Sequence, residues 1–403
     1  MNRGWKAKTL EEACQFSSGL WKGENPPFVK VGVIRNTNFT KEGTLNDSDI
    51  AYLDVEVKKY EKRRLQFGDI ILEKSGGGPK QPVGRVALFD MKEGDYSFSN
   101  FTASIRVQDP DELDFRFVHR FLHWTYVAGV TERMQSNSTG IRNLDGEAYK
   151  AIEISFPPLD EQKRIVAKLD KAFAGLTKAK ENAEKNLQNA RALFESHLES
   201  VYTQRGKGWV EKKLDDVCGF QNGFAFKSNT FKATGAPVIR ISNIQDGRID
   251  TENRLVFVNP KDYREDLERY RIVKNDLLIA MSGATTGKLG FNTENTVFYL
   301  NQRVGKFEPG AKLDKQFLYY FLSTRVEENL RISAGAAQPN LSTEQIKGFV
   351  IPLPPVEEQT RIVLKLDSLS EQTQRIASIY EQKLEALESL KKSILHEAFS
   401  GNL

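Results

Sequence analysis

One feature constrains this 403-residue chain more than any other: it repeats itself once, in order, along its whole length. Arg3-Gly4-Trp5 returns as Lys207-Gly208-Trp209, and Leu10-Glu11-Glu12-Ala13-Cys14 as Leu214-Asp215-Asp216-Val217-Cys218. Pro27-Phe28-Val29-Lys30-Val31 aligns with Pro237-Val238-Ile239-Arg240-Ile241, and Gly68-Asp69-Ile70-Ile71-Leu72 with Asn275-Asp276-Leu277-Leu278-Ile279. Leu113-Asp114 with Phe117 and Phe121-Leu122 matches Leu313-Asp314 with Phe317 and Phe321-Leu322. Pro157-Pro158-Leu159-Asp160-Glu161-Gln162 finally matches Pro354-Pro355-Val356-Glu357-Glu358-Gln359. The separation moves from 204 residues at the tryptophans to 197 at the proline pairs, as loop insertions would produce. A solenoid would instead show a short period, about 20–50 residues, many times over. The chain is therefore one unit of domain size, duplicated.

Each copy opens with short β-rich runs punctuated by Gly, Asn and Pro: Phe28–Ile34 and Asp69–Leu72 in the first, Pro237–Ile244 and Asp276–Ala280 in the second. A helical pattern follows at about Glu112–His123 and Lys315–Leu330. Each copy closes on a long polar helix, with a proline at its start and acidic residues in its first turn. Apolar or small residues recur every three or four positions, from Ile165 to Val201 and from Ile362 to Ala398. Such a narrow stripe needs a partner, and the nearest partner is the other copy's helix. The expected architecture is α+β: two pseudo-twofold-related β-rich globular domains, 1–156 and 206–353, joined by two long antiparallel helices, 157–205 and 354–403, forming a coiled coil.

Composition bears this out only broadly. Hydrophobic residues at 39% and aromatics at 10% suffice for several small cores and exclude a disordered chain. The 58 cations against 54 anions leave a net charge of +4, which permits a nucleic-acid partner without demanding one. Cys14 and Cys218 fall at equivalent repeat positions, which suggests buried thiols and not a disulfide framework. With no signal-like start and no long apolar run, the expected setting is the cytoplasm, with no membrane association.

Two β-rich domains, each followed by a Pro-Pro-Leu/Val-x-Glu-Gln-x-Arg-Ile-Val helix and each opened by Gly-Trp, resemble the specificity subunit of type I restriction–modification enzymes over essentially the whole chain. The resemblance implies that each domain is a target-recognition domain reading half of a bipartite, asymmetric double-stranded DNA site. It implies that the helices set the spacer and dock two methyltransferase subunits. It further implies that a motor–nuclease subunit completes the assembly and that this chain carries no catalysis and no cofactor. The rival expectations are a DNA adenine methyltransferase with its own recognition domain, and a coiled-coil protein adaptor.

The motifs that suggest chemistry lack the context chemistry needs. Asn25-Pro26-Pro27-Phe28 has the form of an adenine-methyltransferase motif, but no glycine-rich cofactor site precedes it. Ser282-Gly283-Ala284-Thr285-Thr286-Gly287-Lys288 falls one residue short of a phosphate-binding loop, and Leu289 stands where Ser or Thr is required. His119 and His123 share a helical face without a third ligand nearby, so no metal site is expected. The glycine-rich loops read better as DNA contacts, because backbone and cations can approach phosphates there. The candidates are Lys74, Lys80, Gln81 and Arg85 in the first copy, and Thr285 and Lys288 in the second. Arg35, Asn36 and Asn38 follow the strand Phe28–Ile34, as Ser242, Asn243 and Gln245 follow the apolar core of the second run, and with Arg240 inside that run they suit base edges. Gln302 and Arg303 form a further pair of that kind.

Overall fold

Runs such as Ile70-Ile71-Leu72 and Leu277-Leu278-Ile279-Ala280 carry no polar residue, so a strand made from them must be covered on both faces. The computed structural model, which describes residues 4–20, 23–78, 81–138, 140–245, 247–333 and 340–402, builds each unit around such a strand. The chain divides into two units, Met1–Lys185 with Glu381–Leu403, and Asn186–Tyr380.

In the first unit Ile70–Glu73 lies inside a four-stranded antiparallel sheet, in the order Cys14–Ser18, Thr102–Val107, Ile70–Glu73, Val86–Leu88. Ile70 and Leu72 face one core with the helix Phe115–Val127, while Ile71 faces a second core with Ile34 and Phe98. That second core is closed by the sheet Ala51–Glu56, Phe28–Ile34, Tyr96–Phe98. In the second unit Leu277 and Ile279 face the helix Lys315–Ser333, and Leu278 and Ala280 face a core with Val238 and Phe298. Burial of each such aliphatic side chain is worth roughly 1.5–3 kcal/mol. Cys14 and Cys218 lie buried and unpaired in these cores, and burial pushes both thiols up to about 12.

The Pro-Pro-x-x-Glu-Gln motif has a structural explanation in both copies. Gln162 is fully buried; its Oε1 accepts from the Asp114 N–H (2.9 Å), and its Nε2 donates to the carbonyls of Glu112 (2.9 Å) and Pro157 (2.8 Å). Gln359 repeats the pattern with the Asp314 N–H (2.7 Å), Lys312 (2.9 Å) and Pro354 (2.8 Å). One amide thus clasps the start of each long helix to the aspartate that caps the domain's own helix.

The long helices span Leu159–Thr203 and Val356–Phe399, 45 and 44 residues, or about 65 Å each at 1.5 Å per residue. Within the first unit they run antiparallel. Lys180 pairs with Glu388 (2.8 Å), and farther back along the first helix Phe173 lies under the Lys391 ammonium (5.7 Å). Phe399 seals that end against Phe117, Phe121 and Trp124. In the second unit Leu198, Tyr202 and Leu366 join the main core, and the Tyr202 hydroxyl donates to the Phe317 carbonyl (2.9 Å). Gly175 lies inside the first long helix without interrupting it.

The second copy departs from its expected strand. Ala236–Ile239 is extended, but Ile241–Asn243 turns into a 3-10 helix. The repeat register shifts with it: Arg240 is the equivalent of Arg35, not of Lys30. Both arginines are extended residues preceding a 3-10 turn, Asn36–Asn38 or Ile241–Asn243, and both N–H groups donate to an asparagine three residues on. Asn243 accordingly answers to Asn38, not to Asn36.

Candidate nucleic-acid interface

In the first unit the central strand Ile70–Glu73 ends at Lys74, and three segments converge there. Lys74 N–H and Ser75 N–H both donate to the Phe101 carbonyl (3.0 and 3.1 Å), and the Lys74 carbonyl accepts from Leu144 N–H (2.8 Å). The hairpin Gln135–Ser138 and Ile141–Leu144 then pairs with Ser75–Gly76, and Ser75 Oγ lies 2.6 Å from Asn143 Oδ1. Gly76, at φ 122°, brings the loop against Asn36, whose Nδ2 donates to the Ser75 carbonyl (2.7 Å).

Several residues expected at the DNA surface instead hold this frame together. Arg85 makes a bidentate pair with Glu73 (2.7 and 3.0 Å), a carboxylate only 1% exposed. It also donates to the Asn36 carbonyl (3.1 Å) and lies over the Phe39 ring (5.6 Å). Its donors are turned inward, where they clamp Glu73 to the loop of Asn36. Asn38 and Asn243 are turned inward likewise. At 1% and 0% exposure, each spends its amide on backbone: Asn38 on Arg35, Asn46 and Asp49, and Asn243 on Arg240, Asp250 and Asn253. Neither presents an edge that a base could meet. Arg35 donates to the Asp49 carbonyl (3.0 Å) and carboxylate (3.2 Å), and Arg240 to the Arg254 carbonyl (2.9 Å).

Lys74 is half-buried and has no side-chain partner among the described residues, and Gln81 is exposed with its amide against the Arg85 guanidinium. Lys80 lies outside the described residues. In the second unit Thr285 Oγ1 donates to the Ile241 carbonyl (2.9 Å), joining the two loops as Asn36 does in the first. Ser242 and Lys288 are half-buried, whereas Gln302 and Arg303 are exposed, with Arg303 Nη1 3.5 Å from Ser282 Oγ. The carbonyl of Lys288 accepts from Ala280 N–H (2.9 Å), as that of Arg85 accepts from Glu73 N–H (2.8 Å). The buried carboxylate of the first unit is thus an alanine in the second.

His119 and His123 are not surface ligands but a buried ring pair, with centroids 6.4 Å apart, on the helix Phe115–Val127. Desolvation, with Arg120 and neighbouring cations adding to it, pulls both down to about 3. Neutral His119 therefore donates Nε2–H to the Gly43 carbonyl (2.7 Å), which docks the loop 39–45. Among the described residues no group of three or more His, Cys, Asp and Glu could hold a metal, and no helix is long and apolar enough to cross a membrane.

One turn of the first unit bears no donor pattern of the DNA-contact kind in the sequence. Asn100-Phe101 occupies the place of Gln302-Arg303, at a separation of 202 residues, and Phe101 is 45% exposed. An alignment anchored on Thr102 and Val304 would have found it.

These features define a tandem protein in which two units of one design carry different side chains on a common loop frame. The chain belongs to the family described as the type I restriction modification DNA specificity domain, whose model matches residues 2–186 and again 206–388. It is 29% identical over 290 residues to the type I restriction enzyme MjaVIII specificity subunit of Methanocaldococcus jannaschii, covering 67% of each chain. It is 25% identical to the EcoKI specificity subunit of Escherichia coli, over 95% of this chain and 83% of that one. In fold it is similar to a chain of a solved type I R-M system (TM-score 0.81, 20% identity, covering 100% of this chain and 99% of that one). The HsdS subunit from Thermoanaerobacter tengcongensis has a TM-score of 0.63 at 19% identity, covering 100% and 98%. The role that goes with this membership is recognition of DNA sequence.

Proposed function

We propose that this chain is the non-catalytic reader of a cytoplasmic type I restriction–modification complex. Residues 1–156 and 206–353 each read one half of an asymmetric, bipartite duplex. Helices 157–205 and 354–403 hold the spacing and dock two methyltransferase subunits, which a motor–nuclease subunit joins. The observation that carries this reading is the repeated loop frame. Both units bring the end of the central strand against the turn at 99–101 or 301–303 through matching backbone bonds, and tie the 3-10 turn to the same frame by a side chain, Asn36 in one and Thr285 in the other, yet they decorate it differently. Equal frames with unequal side chains suit two unlike half-sites. The DNA-facing set is Lys74, Lys80 and Gln81 in the first unit, and Ser242, Thr285, Lys288, Gln302 and Arg303 in the second. Arg35, Asn36, Asn38, Arg85, Arg240 and Asn243 hold the loops that present them. An uninterrupted helix keeps a constant span, which a flexible linker of equal length does not.

The test is selection from a library of randomised synthetic duplexes by the full chain bound to its methyltransferase subunit. A split motif with a fixed gap, bound with steep salt dependence, is the expected result. Absent or salt-insensitive DNA binding would leave a protein adaptor as the better account.

A further inference from the structure

The two units carry opposite chemistry at one matched position. Lys74 N–H donates to the Phe101 carbonyl (3.0 Å) as Met281 N–H donates to that of Arg303 (2.9 Å). One residue on, Thr102 N–H reaches Ser99 (2.9 Å) as Val304 N–H reaches Asn301 (2.8 Å). Leu20 N–H reaches Phe98 (3.0 Å) as Phe224 N–H reaches Leu300 (2.8 Å). Three matching bonds place the Phe101 backbone where the Arg303 backbone sits, at the turn leading into strands Thr102–Val107 and Val304–Pro309.

Scattered apolar residues on a surface need no explanation. Phe101 differs from them in its place: 45% exposed, with no ring partner among the described residues, against Lys74, whose own carbonyl meets the strand Ile141–Leu144. In the second unit the same turn carries a polar, exposed residue, Arg303.

Resting on the reading of the chain as a two-part DNA reader, we propose that Phe101 and Arg303 are equivalent specificity-determining residues of opposite preference. Arg303 offers a forked pair of donors that fits guanine O6 and N7 in the major groove. Phe101 offers only an apolar ring, and the one apolar group on a major-groove edge is the thymine methyl. The half-site read by the first unit therefore contains a thymine where the half-site read by the second contains a guanine.

The experiment compares wild type, Phe101→Ala and Phe101→Arg, each as the full chain with its methyltransferase subunit, in selection from the randomised duplex library. The expected result is that Phe101→Ala loses on the order of 10-fold preference for thymine at one position of one half-site. Phe101→Arg moves that position to guanine, and the other half-site is unchanged in both. A duplex with deoxyuridine at that thymine, lacking only the methyl, then weakens wild type about as much as Phe101→Ala does and leaves that variant unaffected. Should wild type select a split motif that neither variant alters, or ignore the missing methyl, the assignment of Phe101 is wrong while the two-part reader stands. Should wild type select no motif at all, the reader itself fails and the assignment with it. Because the ring is half in solvent, Phe101→Ala is expected to fold, so the alanine variant and the deoxyuridine duplex decide the matter even if Phe101→Arg does not.

Discussion

Arg85 separates a loop-holding role from a DNA-contacting one, because the two make opposite demands when it is removed. Arg85→Ala leaves the Glu73 carboxylate, 1% exposed, without its bidentate partner. Stranding one half of a buried pair costs about 3–5 kcal/mol. The bond to Asn36 and the stacking on Phe39 go with it, so the upper half of that range is expected. Glu73→Gln costs less, since Arg85 is 15% exposed and water can reach part of the guanidinium. Hydrogen exchange of the full chain localises the effect. At tenfold per 1.4 kcal/mol, a loss of about 4 kcal/mol raises exchange through global opening of strand Ile70–Glu73 several hundred-fold. Strand Leu277–Ala280, whose unit has Ala280 in place of the acid, keeps its protection. The internal clamp is refuted if protection in both strands is unchanged while the salt slope of DNA binding falls by about one, the mark of a lost phosphate contact.

Other consequences can be checked in parallel. His119 and His123 sit near 3 in the folded chain against about 6.5 when unfolded. Below 6.5 the unfolded state therefore takes up protons that the folded state refuses, so stability is full above pH 6.5 and falls as the pH drops toward 3. Unfolding free energies from urea titration between pH 6.5 and 4.5 should decline for the first unit, by up to about 1.4 kcal/mol per histidine per pH unit. The second unit, with Tyr319 and Ser323 at those places, should hold steady over the same range. Gln162→Leu strands the Asp114 N–H and two carbonyls and should cost about 2–4 kcal/mol in denaturant titration, with a loss within error counting against the clasp. Deleting seven residues from each long helix shortens it by about 10 Å, near three base pairs of duplex. Selected motifs should then close their gap by that amount and keep both half-sites; altered half-sites would disprove the ruler.

The duplication, the long helices and the central strands were legible in the sequence because each leaves a pattern that loops cannot erase. Phe28–Ile34 was read to the residue, and the long helices show as stripes without a break. The register between Ile34 and Ile239 was not legible. Valine and isoleucine runs align with one another at several offsets, and the strand Ala236–Ile239 is shorter than its counterpart. What resolves the offset is an arginine preceding a 3-10 turn with an asparagine three residues on, a conformational signature and not an apolar one. The loops that converge at the end of each central strand were legible, but the bonds of their individual side chains were not. Amides and guanidinium groups suited to DNA edges are equally suited to backbone carbonyls, and Asn38, Asn243 and Arg85 took the second use. Phe101 was invisible for the converse reason, since a search for donors passes over a ring.

On the proposed reading, the placement of these polar residues suits one fold serving two unlike half-sites. A loop that must hold a base contact to within a fraction of an ångström needs its backbone fixed by groups that do not themselves touch DNA. Asn38 and Asn243 do this identically in both units, and the glutamine clasps fix each domain to its helix in the same way. Variation is then free to fall on residues outside the frame, as between Phe101 and Arg303 or Lys74 and Met281. The Glu73–Arg85 clamp is intermediate. It belongs to the frame, yet only the first unit has it, where four further residues lengthen the loop between Gly76 and Gly84 relative to Gly283 and Gly287. A longer loop loses more conformational freedom when it is fixed, and a buried ion pair supplies the extra restraint. Shortening that loop to the length of its counterpart should therefore make the first unit tolerate Glu73→Ala with Arg85→Lys, the pairing the second unit already uses at Ala280 and Lys288.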